Sequence, residues 1–273
     1  GSITKVFTVV LLLILHQKKV ININNTFKNY LDNKQLMNVK IIDVINHKAG
    51  IQNMSKNVKF DKDNEKNNKK FYNSTDVYND LKNEKFITLK KGVHSYSNLG
   101  YQILGALIES VTNMTYEEAL SKFLLKPLHM KHTGFSKTNI IQYTHLNKKV
   151  TNNQNNERFF AGSAGGLKSS ISDLIKFSKF TKLLNKQTLK LIPKIIFEDP
   201  RLNKYVITHD GSITGGLALI WLDYDSNWKI KNVSFHLSTI QGHGEYNWFR
   251  RIKGFFQDWN KIAKREKYKK NKK

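Results

Sequence analysis

The chain has 273 residues and carries 46 Lys+Arg against 21 Asp+Glu, a formal net charge of +25. Its 39% hydrophobic and 11% aromatic content supplies a core, which excludes global disorder, and the length suits one large domain or two closely packed ones. Cys is absent, which excludes a disulfide framework, a thiolate metal site and a cysteine nucleophile; with only 3 Pro the chain is not a Pro-rich linker protein.

The charge is almost all Lys, spread through every segment, with Arg only at Arg158, Arg201, Arg250, Arg251 and Arg265. Nucleic-acid readers lean on Arg forks clustered on one face, so this pattern argues against a specific nucleic-acid partner and for Lys at ordinary surface positions. Only the tail from Lys261 to Lys273 is a genuine charge run, expected as a solvated end.

In chain order, Ile3 to Gln17 predicts a helix apolar on all sides, hence one buried between layers. Lys5 followed by Val6–Leu15 has the look of a signal peptide, but no small-residue cleavage site follows, and the run is far short of the ~20 residues of a membrane span. After a turn at Lys18-Lys19, Ile21–Asn24 alternates and gives way to a short helix over Thr26–Leu31. Val39–His47 predicts a helix ended by Gly50, and Gln52 to Asn73 a polar surface loop. Helices follow at Gly100–Thr112, Tyr116–Leu125 and Ser172–Leu184, the last capped by Ser172. Tyr205–Thr208, Leu217–Tyr224 and Lys229–Ile240 predict an antiparallel meander, and Glu245–Lys264 a closing helix. The expected fold class is α/β (α+β): an antiparallel sheet flanked by helices plus an all-α subdomain. Residues 20–200 would form the mostly helical part, 1–19 and 201–265 the α/β part of a single domain, and 266–273 a basic tail.

Several segments carry residues suited to chemistry. Ser2-Ile3-Thr4-Lys5 places a hydroxyl and an amine three residues apart on one helical face, where a desolvated Lys acts as a base; the plainer reading of Ser2 is a helix cap. In Tyr96-Ser97-Asn98, Tyr96 has a hydroxyl that can shuttle a proton and Asn98 an amide that can hold a substrate; alternatively Tyr96 packs and Asn98 caps. His209-Asp210-Gly211-Ser212 follows a strand run: Gly211 permits close approach to an edge strand and His209 can line a site, or the histidine is structural and the glycines only form a hairpin. The Ala161–Ser170 small-residue run lacks the glycine order of a phosphate loop, and His129 and His132 lack the acidic partner of a metal motif, so they read as surface residues.

Taken together and in this order, Ser2–Lys5, Ile42–Gly50, Tyr96–Tyr101, Ala164–Ser170 and His209–Gly211 resemble the serine β-lactamase and penicillin-binding-protein family, in its class C-like and esterase-like branch with H-x-G as third motif. The resemblance covers nearly the whole chain. It implies an antiparallel sheet flanked by helices, an all-α subdomain, and a site between them. It implies Ser2 as the acylated nucleophile, Lys5 as its base, Tyr96 as proton relay, and Asn98, His209 and Gly211 as substrate-binding positions. Backbone N–H groups of Ser2 and Ser212 would form an oxyanion hole. The implied reaction is acyl transfer from an amide or ester of a small molecule or peptide, with peptidase or esterase action favoured over lactam hydrolysis and no cofactor or metal. In the family, strands precede the nucleophile, whereas here it is residue 2, so the sheet is expected to lack its N-terminal strands and Ser2 to sit at a frayed end. The competing reading is a family member without turnover that serves as a scaffold or binding protein.

Overall fold

The computed structural model describes residues 1–55, 81–135, 142–144, 149–150, 162–192, 195, 205–213, 216–238 and 240–241. Most of the polar loop, the closing helix at 245–264 and the basic tail lie outside the described residues.

Helix α1 (Thr4–Gln17) is the centre of the molecule, and every residue from Thr4 to Leu15 is buried. An apolar helix has no solvent face to offer, so it must be enclosed on all sides. The Phe7 ring stacks on Phe177 at 3.8 Å. α1 ends where Lys19 takes a left-handed φ of 60° and the Val20 N–H reaches back to the Leu15 carbonyl. No helix among the described residues is long and apolar enough to cross a membrane.

Around α1 lie α2 (Ile41–Ile45), α3 (Asn98–Thr112), α4 (Tyr116–Leu120), α5 (Gly162–Gly165), α6 (Ile171–Phe177) and α7 (Lys186–Leu189). Several local expectations shift. α2 is shorter than foreseen, and two left-handed residues follow it, His47 at φ 57° and Gly50 at φ 73°. The Tyr116–Leu125 element is helix α4 followed by a π-helical turn over Ser121–Leu125. α6 is capped by Ser170, whose side chain accepts from the Asp173 N–H, instead of by Ser172. Its foreseen C-terminal half is a separate 3₁₀ turn at Phe180–Leu183. Ile21–Asn24 forms turns, and only the 3₁₀ turn Phe27–Asn29 follows it.

Strands β1 (Gln142–Thr144) and β2 (Lys149–Val150) pair antiparallel, and β1 also runs parallel to β6 (Ile240–Gln241). These were not foreseen, because such short strands carry little alternation to read. The meander is present as β3 (Val206–Ile213), β4 (Gly216–Tyr224) and β5 (Ile230–Ser238), in the order β3-β4-β5 and antiparallel throughout. β3 extends five residues past Thr208, so His209 to Ser212 lie within the strand, with His209 opposite Ile220 and Gly211 opposite Ala218. Central strand β4 is buried from Leu219 to Tyr224, and Ile207, Ile220, Leu222 and Tyr224 join the same hydrophobic cluster as α1.

α3 meets α5 at very close range. A Cβ placed on Gly105 would lie 2.8 Å from Ser163 Cβ and would also strike its Oγ, which donates to the Tyr101 carbonyl at 2.9 Å. Replacing a helical Gly by Ala gains ~1 kcal/mol of propensity, whereas overpacking costs ~1–3 kcal/mol and here also breaks that hydrogen bond. Gly105→Ala is therefore expected to lower stability by about 1 kcal/mol or more in urea unfolding, and an unchanged or raised midpoint would contradict this packing.

Candidate active site

Four segments converge on Ser2. The first turn of α1 brings Lys5 beneath it, because residues three apart share a helical face. Ser2 does not cap the helix; Ile3 holds the N-cap position and no side chain caps it. The expectation of a frayed Ser2 also needs correcting. The Gly1 carbonyl accepts from the Thr4 N–H at 3.0 Å and from Thr4 Oγ1 at 2.8 Å, and Thr4 Oγ1 in turn accepts from the Leu167 N–H at 3.1 Å.

Lys5 is fully buried, with Nζ 3.1 Å from Ser2 Oγ, 2.7 Å from Asn98 Oδ1 and 2.6 Å from the Ala164 carbonyl oxygen. Nζ also lies 5.0 Å from the Tyr96 ring centre and 5.4 Å from that of Tyr101. Among the described residues, no carboxylate bridges to Lys5, and burial holds its amine well below the usual lysine range. As an ammonium it donates to all three oxygens. As a neutral amine it keeps two N–H bonds, which match the two shorter contacts to Asn98 and Ala164, and its lone pair is left facing Ser2 Oγ.

Tyr96 also reaches Ser2, its hydroxyl donating to Ser2 Oγ at 2.8 Å. The result is a directed series, Tyr96 O–H to Ser2 Oγ and Ser2 O–H to Lys5 Nζ. Tyr101 is close by, but it is buried, donates to the Ile45 carbonyl at 3.0 Å, and burial pushes its hydroxyl above the usual range.

The Tyr96-Ser97-Asn98 turn is held tightly. Ser97, not Asn98, caps α3: its Oγ accepts from the Gly100 N–H at 2.8 Å and donates to the Gln52 carbonyl at 2.7 Å. Asn98 is the first residue of α3, with Oδ1 on Lys5 and Nδ2 donating to Asn53 Oδ1 at 3.0 Å. Its amide, foreseen as a substrate contact, is thus engaged with Lys5 and Asn53.

On the sheet side, a Cβ on Gly211 would lie 2.8 Å from the Ser2 nitrogen and 3.0 Å from the Gly1 carbonyl carbon, and one on Gly1 would lie 2.9 Å from Ser212 N. The close approach that Gly211 permits is made by the backbone of Gly1 and Ser2. It brings the Ser2 and Ser212 amides into the same neighbourhood. His209 is buried on β3, with Nδ1 2.6 Å from the Asp210 carbonyl oxygen. His129 and His132 are exposed, as foreseen.

Sequence reasoning missed three participants. The Ala164 carbonyl is invisible as a side-chain motif, though it falls in the small-residue run that lets α5 approach α1. Asn53, which fixes the Asn98 amide, carried no signal. His47 was visible only as part of the segment before Gly50.

The Beta-lactamase family model matches residues 1–256. Protein flp of Staphylococcus aureus (strain NCTC 8325 / PS 47) is 30% identical over 145 residues, covering 51% of this chain and 28% of that protein. The chain therefore spans under a third of the length of that relative. Among solved structures, a penicillin binding protein from Bacillus halodurans superposes with a TM-score of 0.73 at 17% identity, covering 93% of this chain and 84% of the other. A D-stereospecific amidohydrolase from Streptomyces sp. gives 0.70 at 18% identity, covering 88% and 81%. FmtA from Staphylococcus aureus gives 0.68 at 22% identity, covering 94% and 73%. These similarities show a shared β-lactamase/transpeptidase-like fold, and the matched span takes in α1, α3 and the β3–β5 sheet, so the chain belongs to the Beta-lactamase family.

Proposed function

We propose that this chain is a serine hydrolase that acylates Ser2 with a small amide or ester and then hydrolyses the acyl-enzyme. The observation that carries the reading is the series from the Tyr96 hydroxyl through Ser2 Oγ to the buried Lys5 amine. Ser2 Oγ bonds the substrate carbonyl carbon while its proton passes to Lys5 Nζ. The C–N or C–O bond then breaks, and the leaving atom takes a proton by way of the Tyr96 hydroxyl. Water repeats the sequence on the ester and restores Ser2. The neighbouring Ser2 and Ser212 backbone N–H groups would receive the oxyanion, where one donor is worth ~3 kcal/mol of transition-state stabilisation. His209 and Gly211 line the sheet side, and their H-x-G spacing supports the class C-like branch. The penicillin binding protein and the amidohydrolase among the structural relatives favour peptidase, amidase or esterase action over lactam hydrolysis. In this reading the mostly helical residues 20–200 and the α/β remainder each contribute one wall of the site.

The deciding experiment is intact mass after incubation with a fluorophosphonate or penicillin probe. One adduct on the chain, absent in Ser2→Ala, is expected; a cooperatively folded chain that never labels would instead favour a non-hydrolytic family member. Lys5→Met is expected to slow labelling ~10²–10⁴-fold. In the unsubstituted chain the labelling rate should rise with pH and level off well below pH 10.5, because the amine must be neutral to accept the proton. A rate that keeps climbing to pH 10.5 would remove Lys5 as the base. Tyr96→Phe should keep the fold and lose at least tenfold in turnover, and an undiminished rate would exclude the relay.

A further inference from the structure

We infer that His47 is a positioning residue for the Tyr96 hydroxyl: it grips the chain on both sides of Tyr96 and backs its ring, holding the phenol oxygen on Ser2. The inference rests on the hydrolase reading above and adds to it a residue that touches neither Ser2 nor the substrate position.

The geometry is specific. The Ser95 N–H donates to the His47 carbonyl at 2.8 Å and the Ser97 N–H donates to His47 Nδ1 at 3.1 Å, so one residue binds the backbone immediately before and after Tyr96. Between these anchors the two rings lie 4.6 Å apart at 32°. Tyr96 is 36% exposed whereas His47 is only 7% exposed, so the partly exposed tyrosine ring is backed by a buried one. His47 adopts its position through a left-handed φ of 57°, a conformation that an L-residue holds only when its surroundings fix it.

For Nδ1 to accept, it must carry no proton. The groups facing the imidazole are Lys5 from α1, His209 from β3, His94 and Tyr96 from the segment before α3, and Tyr101 from α3. None is acidic. Burial first, then the charges of Lys5, His209 and His94, lower the His47 pKa from 6.5 to about 3. The ring is therefore neutral across the working range. A proton there would take Nδ1 from Ser97 and set a buried charge near the Lys5 amine. Because the unfolded chain binds that proton near pH 6.5 and the folded chain only near pH 3, the folded state loses stability as pH falls between those values.

His47→Asn tests the inference, since Asn tolerates the left-handed backbone and its Oδ1 can take the place of Nδ1, while the ring is removed. The burst rate of Ser2 acylation by a p-nitrophenyl ester is expected to fall on the order of tenfold with KM nearly unchanged, as misplacement of a catalytic group predicts. The loss of stability between pH 6.5 and pH 3 should also flatten. Equal burst rates in variant and unsubstituted chain overturn the inference and leave the hydrolase reading standing. No acylation of the unsubstituted chain overturns both. If His47→Asn does not fold, ¹⁵N NMR of the unsubstituted chain decides: an unprotonated Nδ1 at pH 5 supports the inference, and a protonated Nδ1 or titration near pH 6.5 overturns it.

Discussion

The burial of one amine organises this molecule. Lys5 Nζ lies fully enclosed, and its surroundings answer it with three oxygens from three different elements: Ser2 at the head of α1, Asn98 at the start of α3, and the Ala164 carbonyl of α5. A buried charge without a counter-ion is costly, so burial holds the Lys5 amine well below the usual lysine range. The same contacts that settle the lysine also tie the helices together around it.

Much of the surrounding structure serves that arrangement. α5 reaches Lys5 only because Gly105 on α3 and the small residues around Ser163 let the two helices touch. Thr8, one turn below Lys5, lies 2.6 Å from the Ser163 carbonyl and 2.7 Å from the Tyr116 hydroxyl, which fixes α5 from beneath. The segment 47–53 performs the corresponding task for the other wall. His47, Gln52 and Asn53 between them receive Ser95, Ser97, Asn98 and Leu99. Tyr96 and Asn98 are thereby held by a layer of polar groups that make no contact with Ser2.

The sheet contributes by proximity. Because β3 continues through His209 to Ile213, Gly211 is an in-register strand residue opposite Ala218, and its missing side chain leaves room for the Gly1–Ser2 backbone. The helical and sheet parts of the site meet at that point, which brings backbone amides from both beside Ser2.

The sequence by itself determined the buried α1, the amphipathic α3 and the three-stranded meander, since periodicity is written locally, and the family resemblance of its short motifs singled out Ser2, Lys5, Tyr96, Asn98, His209 and Gly211 as the candidate site. Tertiary structure alone decided what those residues do to one another. The Ala164 carbonyl is a backbone group, Asn53 and His47 act from more than forty residues away from the turn they hold, and Ser97 holds the N-cap of α3 while Asn98, one residue into the helix, reaches Lys5. β1, β2 and the π-helical turn after α4 were equally illegible, being too short to carry a period. Residues distant along the chain acquire a role only when folding sets them within hydrogen-bonding reach, and no pattern of one residue type after another encodes that distance.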